Sequence, residues 1–321
     1  MDMYPPSEPY DQGALDVGDG NTIAWRLHGN PDGKPAVALH GGPGSGAAPW
    51  YARMFDPAKY RILLFDQRGA GESTPSAADY ETDMSVNTTD HVVADIERLR
   101  KLFDVEAWLV FGASWGSALA LTYAQRHPDA VSEIVLFGAG TNRRSEVEWM
   151  TRGLGRFFPE AWERFRDGAP EKLRDGDLSA AYNVLLEDPD PVVREAAARR
   201  WCDWEEAIVQ MGDEFKPNPR FADPRFRYGF ARTVTHYWRH GAWLDDRPIL
   251  SNMDLIKDIP GVIVHGALDL QGPLRTPWEV DRAWPAGRLD AIGGGGHCAG
   301  DNMDAAVVAA TDAFARSSKM D

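Results

Sequence analysis

The sequence has few cysteines, fewer basic than acidic residues, and no long apolar runs. Its 321 residues include two cysteines, with 34 lysines and arginines against 49 aspartates and glutamates, for a formal net charge of −15. Two cysteines cannot form a disulfide framework, and no Cys/His cluster predicts a zinc site. The acidic charge argues against nucleic acid and anionic membranes as partners, because both bind basic patches.

Targeting and membrane signals are also lacking. The first 13 residues are acidic and contain prolines, unlike the basic and apolar start of a signal peptide. The apolar runs are far shorter than the stretch that spans a bilayer. We therefore expect a cytoplasmic protein, and the sequence does not predict an oligomeric state.

Short apolar runs alternate with helical patterns along most of the chain. The segment 91–103 places its apolar residues on one helical face, and 22–29 alternates as a strand does. Continuous apolar runs are typical of strands buried on both faces, as in a parallel sheet covered by helices. The runs are 35–40, 61–66, 108–112, 133–138 and 261–266. This order predicts an α/β fold with a mostly parallel central sheet, helices on both faces and right-handed crossovers.

The alternation breaks between residues 142 and 245. This stretch is rich in Trp, Arg and Glu and has no strong strand pattern. We interpret it as a helical insertion, because strand patterns resume at 261. The predicted organisation is a core of residues 1–141 and 246–321, interrupted by a helical unit of residues 142–245.

The nucleophile candidate is Ser114, within Gly-Ala-Ser-Trp-Gly at 112–116. The pattern G-x-S-x-G after a strand and before a helix is typical of a sharp, strained turn that exposes a serine above a sheet. A strand is predicted at 108–112 and a helix at 117–127, so the context agrees. The alternative is a tight strand–helix turn without chemistry.

A second glycine-rich turn, HGGPG at 40–44, also follows a predicted strand. Glycines allow backbone N–H groups to approach a ligand, and a tetrahedral intermediate needs about two such donors. We predict an oxyanion hole made by the N–H of Gly42, or of its neighbour Gly41, and the N–H of Trp115. An ordinary glycine turn is the alternative; a phosphate loop is disfavoured because no Lys-Ser/Thr follows.

The serine also needs a base and an acid later in the chain, in the order Ser, Asp, His. His297 lies in a glycine-rich loop after the predicted strand 288–293, and Asp269 follows the strand 261–266 by three residues. We predict these two as base and acid; the alternative for Asp269 is a turn-capping residue. His265 lies inside a predicted strand and is interpreted as a packed residue.

Several segments together resemble the proline iminopeptidases, or prolyl aminopeptidases, of the α/β-hydrolase superfamily. The resemblance extends from about residue 20 to 315. It rests on HGGPG, YRILLFDQRGAGESTP, ASWGSALALTYAQRHP, IPGVIVHGALD and GGGGHC. It implies an α/β-hydrolase fold with a helical cap over the site. It also implies release of an N-terminal proline from peptides by a serine mechanism without a metal or cofactor.

The resemblance also assigns substrate-binding residues in the insertion. A glutamate in a WxxWE stretch holds the substrate's amino group in the family, which implies this role for Glu205 in WCDWE, with Trp201 and Trp204 beside it. A carboxylate in a partly dry pocket binds an ammonium group strongly. The alternative is a glutamate on the helix surface.

Other family positions carry different residues here. Val234 stands where a second glutamate is expected, Trp238 replaces a phenylalanine, and Gly140 and Thr151 stand where aromatic residues pack the prolyl ring. These differences predict a weaker amino clamp and a reshaped pocket.

The sequence therefore predicts a serine hydrolase that releases an N-terminal residue from peptides or amides through an acyl-enzyme. The residue is proline or, with the altered pocket, another aminoacyl group. The substrate is a small molecule or short peptide with a free amino group. The alternatives are an amidase or esterase of the same fold and, more remotely, a non-catalytic binding protein. Hydrolases of this fold with an aspartate nucleophile are disfavoured by Ser114.

Overall fold

The computed structural model describes residues 3–209, 217–297 and 300–317. Cys298, at the end of the GGGGHC segment, lies outside these ranges. The described residues form one eight-stranded sheet. Its strands are β1 (Asp11–Gly18), β2 (Asn21–Gly29), β3 (Lys34–Leu39), β4 (Tyr60–Phe65), β5 (Trp108–Ala113), β6 (Val131–Phe137), β7 (Gly261–Gly266) and β8 (Gly287–Ile292).

The sheet has the strand order β1-β2-β4-β3-β5-β6-β7-β8. β2 pairs antiparallel with both β1 and β4, and all the other neighbours pair in parallel. The carboxyl ends of the parallel strands therefore meet at one edge of the sheet, where open α/β folds hold their ligands. The predicted α/β fold with a mostly parallel sheet is confirmed.

The α-helices in the described residues are α1 (Thr89–Leu102), α2 (Trp115–Arg126), α3 (Arg144–Thr151), α4 (Pro159–Gly168), α5 (Leu178–Leu186), α6 (Pro191–Val209), α7 (Pro224–Arg239), α8 (Arg275–Ala283) and α9 (Asp301–Ser317). Of these, α1, α2, α8 and α9 pack against the sheet, and α3–α7 lie between β6 and β7. None of the described helices is both long and apolar enough to cross a bilayer.

Alternate residues of β3 show how the two faces are filled. Val37 packs in one apolar cluster with side chains of α1 and α2, whereas Ala38 packs in a second cluster with α9. Each strand side chain therefore meets a helix on its own face, which explains the continuous apolar runs.

The predicted strands and the two predicted helices are confirmed, with end shifts of a few residues. The sequence does not predict β1, because DQGALDVG carries two glycines and two aspartates and most of it is exposed. The strand β1 forms its hydrogen bonds with its antiparallel partner β2. The extended form of β1 therefore depends on this pairing. In the described residues α3–α7 lie between β6 and β7, and the division at 141/142 and 245/246 stays a prediction.

Candidate active site

Ser114 lies at the turn between β5 and α2, with φ 54° and ψ −122°. A non-glycine residue with positive φ is strained and persists only where its surroundings hold it. Here its N–H donates to the Phe137 carbonyl of β6 at 2.9 Å, and its carbonyl accepts the Ser117 N–H at 2.8 Å. The neighbouring strand and the first turn of α2 thus hold the serine in the strained turn.

The two glycines of the motif are required by close backbone packing. A Cβ atom on Gly112 would lie 2.2 Å from the Gly116 carbonyl oxygen, and one on Gly116 would lie 2.0 Å from the Leu39 carbonyl oxygen. Neither oxygen can move without moving a strand or helix. The spacing G-x-S-x-G therefore allows α2 to pass close against β5 and β3 while presenting the serine.

Ser114, His297 and Asp269 form a continuous hydrogen-bonded chain. The His297 Nε2 atom lies 3.0 Å from the Ser114 Oγ, and the His297 Nδ1 atom lies 2.7 Å from the Asp269 Oδ2. A carboxylate is only an acceptor, so Nδ1 donates to Asp269 and Nε2 is left to accept the hydroxyl proton of Ser114. The structure thus brings together the three side chains predicted from the chain order.

Asp269 is held by the turn after β7. Its Oδ1 accepts the Gly272 N–H at 2.9 Å, and the side chain is buried. Burial opposes its charge, but the charge and hydrogen bond of His297 outweigh burial and lower the pKa of Asp269. For His297, burial alone would lower the pKa, but the charge and hydrogen bond of Asp269 and the charge of Glu205 raise it. Asp269 is therefore ionised at neutral pH.

Candidate oxyanion donors lie beside the serine. The Gly41 N–H donates to the Tyr51 hydroxyl at 3.1 Å, so Gly42 stays the predicted donor of this loop. Gly42 has φ 113°, a conformation that favours glycine. Trp115 is the first residue of α2, so its N–H has no acceptor within the helix.

Two adjoining cavities meet at Ser114 and His297. The larger is about 300 Å³ and the smaller about 70 Å³. Both are also lined by Gly42, Met150, Trp238 and Gln271. Among the described residues no group of three or more His, Cys, Asp or Glu side chains is arranged to hold a metal.

Glu205 of α6 lines the larger cavity with Ser114 and His297. Its exposed fraction is 9%, and burial raises its pKa to about 7, while the charge of His297 acts in the opposite direction. The charged form of such a buried carboxylate is stabilised by a cation that enters the cavity. The surface-helix alternative for Glu205 does not match this burial.

Of the other predicted pocket residues, only some reach the cavities. Trp238 of α7 lines both, and Gly140 lines the smaller one. Trp204 packs instead against Phe165, with ring centroids 5.3 Å apart. Its indole N–H donates to the Met150 carbonyl at 3.1 Å.

The other two positions that differ from the family pattern are buried. Val234 is fully buried in the apolar core. Thr151 is also buried and donates to the Val147 carbonyl at 2.8 Å. None of Val234, Thr151 and Trp204 lines the two cavities at Ser114, because helix packing buries all three side chains away from them. Thr151 lines a separate cavity with Trp238.

Several cavity residues had no signal in the sequence. Met150 and Gln271 line both cavities, and Arg220 and Phe230 line the larger one. Gln271 follows Asp269 by two residues and could have been considered for that reason. The others belong to helical segments without a motif, so only the folded chain brings them to Ser114.

Known proteins resemble this chain along most of its length. The family model of the α/β-hydrolase fold matches residues 35–302. A protein named probable proline iminopeptidase from Streptomyces coelicolor is 54% identical over 98% of each chain, and the proline iminopeptidase of Xanthomonas citri is 44% identical over 98% of this chain and 99% of its own.

A solved proline iminopeptidase from Mycobacterium smegmatis superposes with a TM-score of 0.59. The superposition covers 96% of this chain and 100% of the other, at 18% identity, which shows the shared fold. Family model, relatives and fold agree, and the chain belongs to the proline iminopeptidase family of α/β hydrolases.

Proposed function

We propose that this protein is a serine hydrolase that releases an N-terminal residue, foremost proline, from short peptides through an acyl-enzyme. One observation carries the proposal. The hydrogen-bonded chain Ser114–His297–Asp269 opens into a cavity that also contains the buried carboxylate of Glu205. The first part is machinery for acyl transfer, and the second is a site for a cationic amino group.

The mechanism follows from the atoms that are in contact. Ser114 Oγ attacks the acyl carbon while His297 Nε2 takes its proton, and the N–H groups of Gly42 and Trp115 stabilise the oxyanion. The protonated His297 then gives its proton to the leaving amine, which departs and leaves an acyl group on Ser114. Water attacks this ester with the same assistance and frees the acid, while Asp269 keeps the imidazole oriented.

Glu205 supports the preference for a free amino group. Its carboxylate is the acidic group of this cavity that lies close enough to His297 to shift the pKa of the imidazole. An ammonium group bound there places the adjacent carbonyl near Ser114. The same cation favours the ionised form of Glu205 against the effect of burial.

The smaller cavity is the proposed site of the acyl side chain. Its volume of about 70 Å³ equals that of about two waters at about 30 Å³ each in the liquid, which is room for a small side chain. Its walls include Gly140, Val147, Met150 and Trp238. Gly140 stands where the resemblance expects an aromatic residue, and this favours a second candidate, in which another aminoacyl group is released.

The helical segment between β6 and β7 is proposed to act as a cap. α6 supplies Glu205 and α7 supplies Trp238 to a cavity whose base is formed by loops of the sheet edge. A cytoplasmic location is also proposed, on the composition alone.

Steady-state rates on arylamides test the function. We expect kcat/KM for proline arylamide to exceed that for alanine and leucine arylamides by at least tenfold. If alanine or leucine arylamide is the better substrate, the second candidate replaces the first. If p-nitrophenyl acetate is hydrolysed but no aminoacyl arylamide is, the protein is an esterase.

The substitution Glu205→Gln separates aminopeptidase from amidase or esterase. The aminopeptidase proposal expects a fall of 30-fold or more, about 2 kcal/mol, in kcat/KM for arylamides with a free amino group, because Gln has no charge to bind the ammonium. The exposed Glu163 is the site of a matched control, Glu163→Gln. Equal losses on proline arylamide and on p-nitrophenyl acetate would contradict the proposed role.

A further inference from the structure

Arg220 brings a positive charge to the wall of the larger cavity. It lies in the segment between α6 and α7, and it lines the same cavity as Ser114 and Glu205. Its guanidinium lies 3.9 Å from the ring centroid of Phe226, and its Nη2 donates to the Ser45 carbonyl. These two contacts hold the side chain against both the cap and the loop that carries Gly42.

This guanidinium forms no ion pair in the part of the chain that is described. The ion pairs formed there include no carboxylate partner for Arg220, and the charge of Asp66 acts on the guanidinium only from a longer distance. Glu206, a carboxylate in the same cavity, accepts the Asn218 N–H at 2.8 Å instead. A guanidinium offers five donor hydrogens, so most of those on Arg220 are available to a ligand. An exposed guanidinium at the rim of the cavity, without an ion-pair partner among the described residues, can bind an anionic group that enters the cavity.

Arg220 lies in the part of the larger cavity that is left for the leaving group of the reaction. The acyl side chain is assigned to the smaller cavity, which Arg220 does not line, and the amino group to Glu205. The remaining wall of the larger cavity, which includes Ser45, Arg220 and Phe226, is therefore the space for the peptide beyond the scissile bond. Arg220 and Ser45 also line a neighbouring cavity of about 610 Å³, so the guanidinium lies at the boundary between the two.

We propose that Arg220 binds the terminal α-carboxylate of the leaving peptide and thereby gives the enzyme a preference for short peptides with a free C-terminus. Guanidinium and carboxylate groups pair through two parallel hydrogen bonds, which fixes position as well as charge. The inference rests on the proposed function, because it assumes that a peptide leaves from this cavity. It adds a recognition element that depends on neither the acyl group nor the amino group.

Matched peptide pairs test this proposal. The substrates are Pro-Ala and Pro-Ala-Ala, each as the free acid and as the C-terminal amide. For at least one length, the wild-type protein should show a kcat/KM for the acid at least tenfold above that for the amide. In Arg220→Gln this ratio should fall below about two, and Arg220→Lys should retain part of it. Arg225→Gln is the matched control, because Arg225 is exposed and pairs with Asp79 at 2.7 Å outside the cavity; it should keep the wild-type ratio.

A second measurement separates failure of this inference from failure of the proposed function. The same four peptides are used as competitive inhibitors of p-nitrophenyl acetate hydrolysis. If no peptide is cleaved, the proposed function fails, yet a tenfold tighter inhibition by the acid that disappears in Arg220→Gln still supports the carboxylate site.

Three outcomes would overturn the role of Arg220. They are an acid-to-amide ratio near one in the wild-type protein for both lengths, absence of any binding by these peptides, and a ratio that Arg220→Gln leaves unchanged. The wild-type ratio decides the matter even if a variant fails to fold.

Discussion

Glu205 and His297 are electrostatically coupled across the cavity above Ser114. The negative charge of Glu205 raises the pKa of the imidazole, and the positive charge of His297 opposes the rise that burial causes in the pKa of the carboxyl. Glu205 is supplied by a helix between β6 and β7, and His297 by the loop after β8. Protonation of the base therefore depends on the residue proposed to bind the substrate's amino group.

This coupling predicts the acid side of the pH profile. His297 must be unprotonated to accept the proton of Ser114, and its pKa is raised from the ordinary 6.5, so kcat/KM for p-nitrophenyl acetate should rise with a midpoint above pH 6.5. Glu205→Gln removes one cause of the raised pKa of His297, so the midpoint of the pH profile should move to lower pH. The measurement is the pH dependence of ester hydrolysis, with Glu163→Gln as the control. A midpoint unmoved by Glu205→Gln would show that the two groups are not coupled.

Glu205 should also make stability depend on pH. Its pKa is about 7 when folded and 4.5 ordinarily, so its contribution to stability is fully present below pH 4.5 and is lost as pH rises through 7. The loss reaches about 3 kcal/mol in the free energy of unfolding. Glu205→Gln should therefore be more stable than wild type at pH 8 by up to this amount and nearly equal to it at pH 4, in urea unfolding at both values. A difference that does not change with pH would argue against a buried carboxyl.

Asp269→Asn should abolish most activity while the fold is kept. The amide can donate to Nδ1 and hold the proton on Nε2, in the tautomer that cannot accept the proton of Ser114. We expect kcat to fall by about 10³–10⁴. Asp258→Asn is a matched control, because Asp258 is exposed and precedes β7. A fall of less than tenfold in Asp269→Asn would contradict the role assigned to the acid.

Gly116→Ala should destabilise the protein. The new Cβ would lie 2.0 Å from the Leu39 carbonyl oxygen, a backbone atom at the carboxyl end of the inner strand β3. We expect a loss of about 3 kcal/mol or more in the free energy of unfolding, measured in urea. Gly293→Ala is the control, because no atom lies within 4 Å of its Cβ position, and its effect should stay within about 0.5 kcal/mol. Equal effects of the two substitutions would contradict the packing argument for the motif.

Local sequence predicted the parts of the site that local geometry determines. The turn at Ser114 needs glycines at 112 and 116 because backbone atoms approach there, and this requirement appears directly as a motif. Asp269 and His297 could be predicted because each follows a parallel strand, and the carboxyl ends of such strands meet at one edge. The continuous apolar runs predicted the strands, because a strand that is buried on both faces of the sheet needs apolar residues at consecutive positions.

Tertiary packing decided which side chains of the helices between β6 and β7 face the edge where the carboxyl ends of the strands meet. The apolar residues Trp204 and Val234 have no local feature that distinguishes the core from a cavity, and the structure buries both. Arg220 belongs to no motif, yet it lies in the wall of the larger cavity because its segment folds back over Ser45. The amino-acid sequence thus determined the fold and the order of the reacting groups through short-range rules. The surroundings of Glu205, and with them its pKa, came from contacts between segments distant in the chain, because burial and charge depend on every neighbour in space.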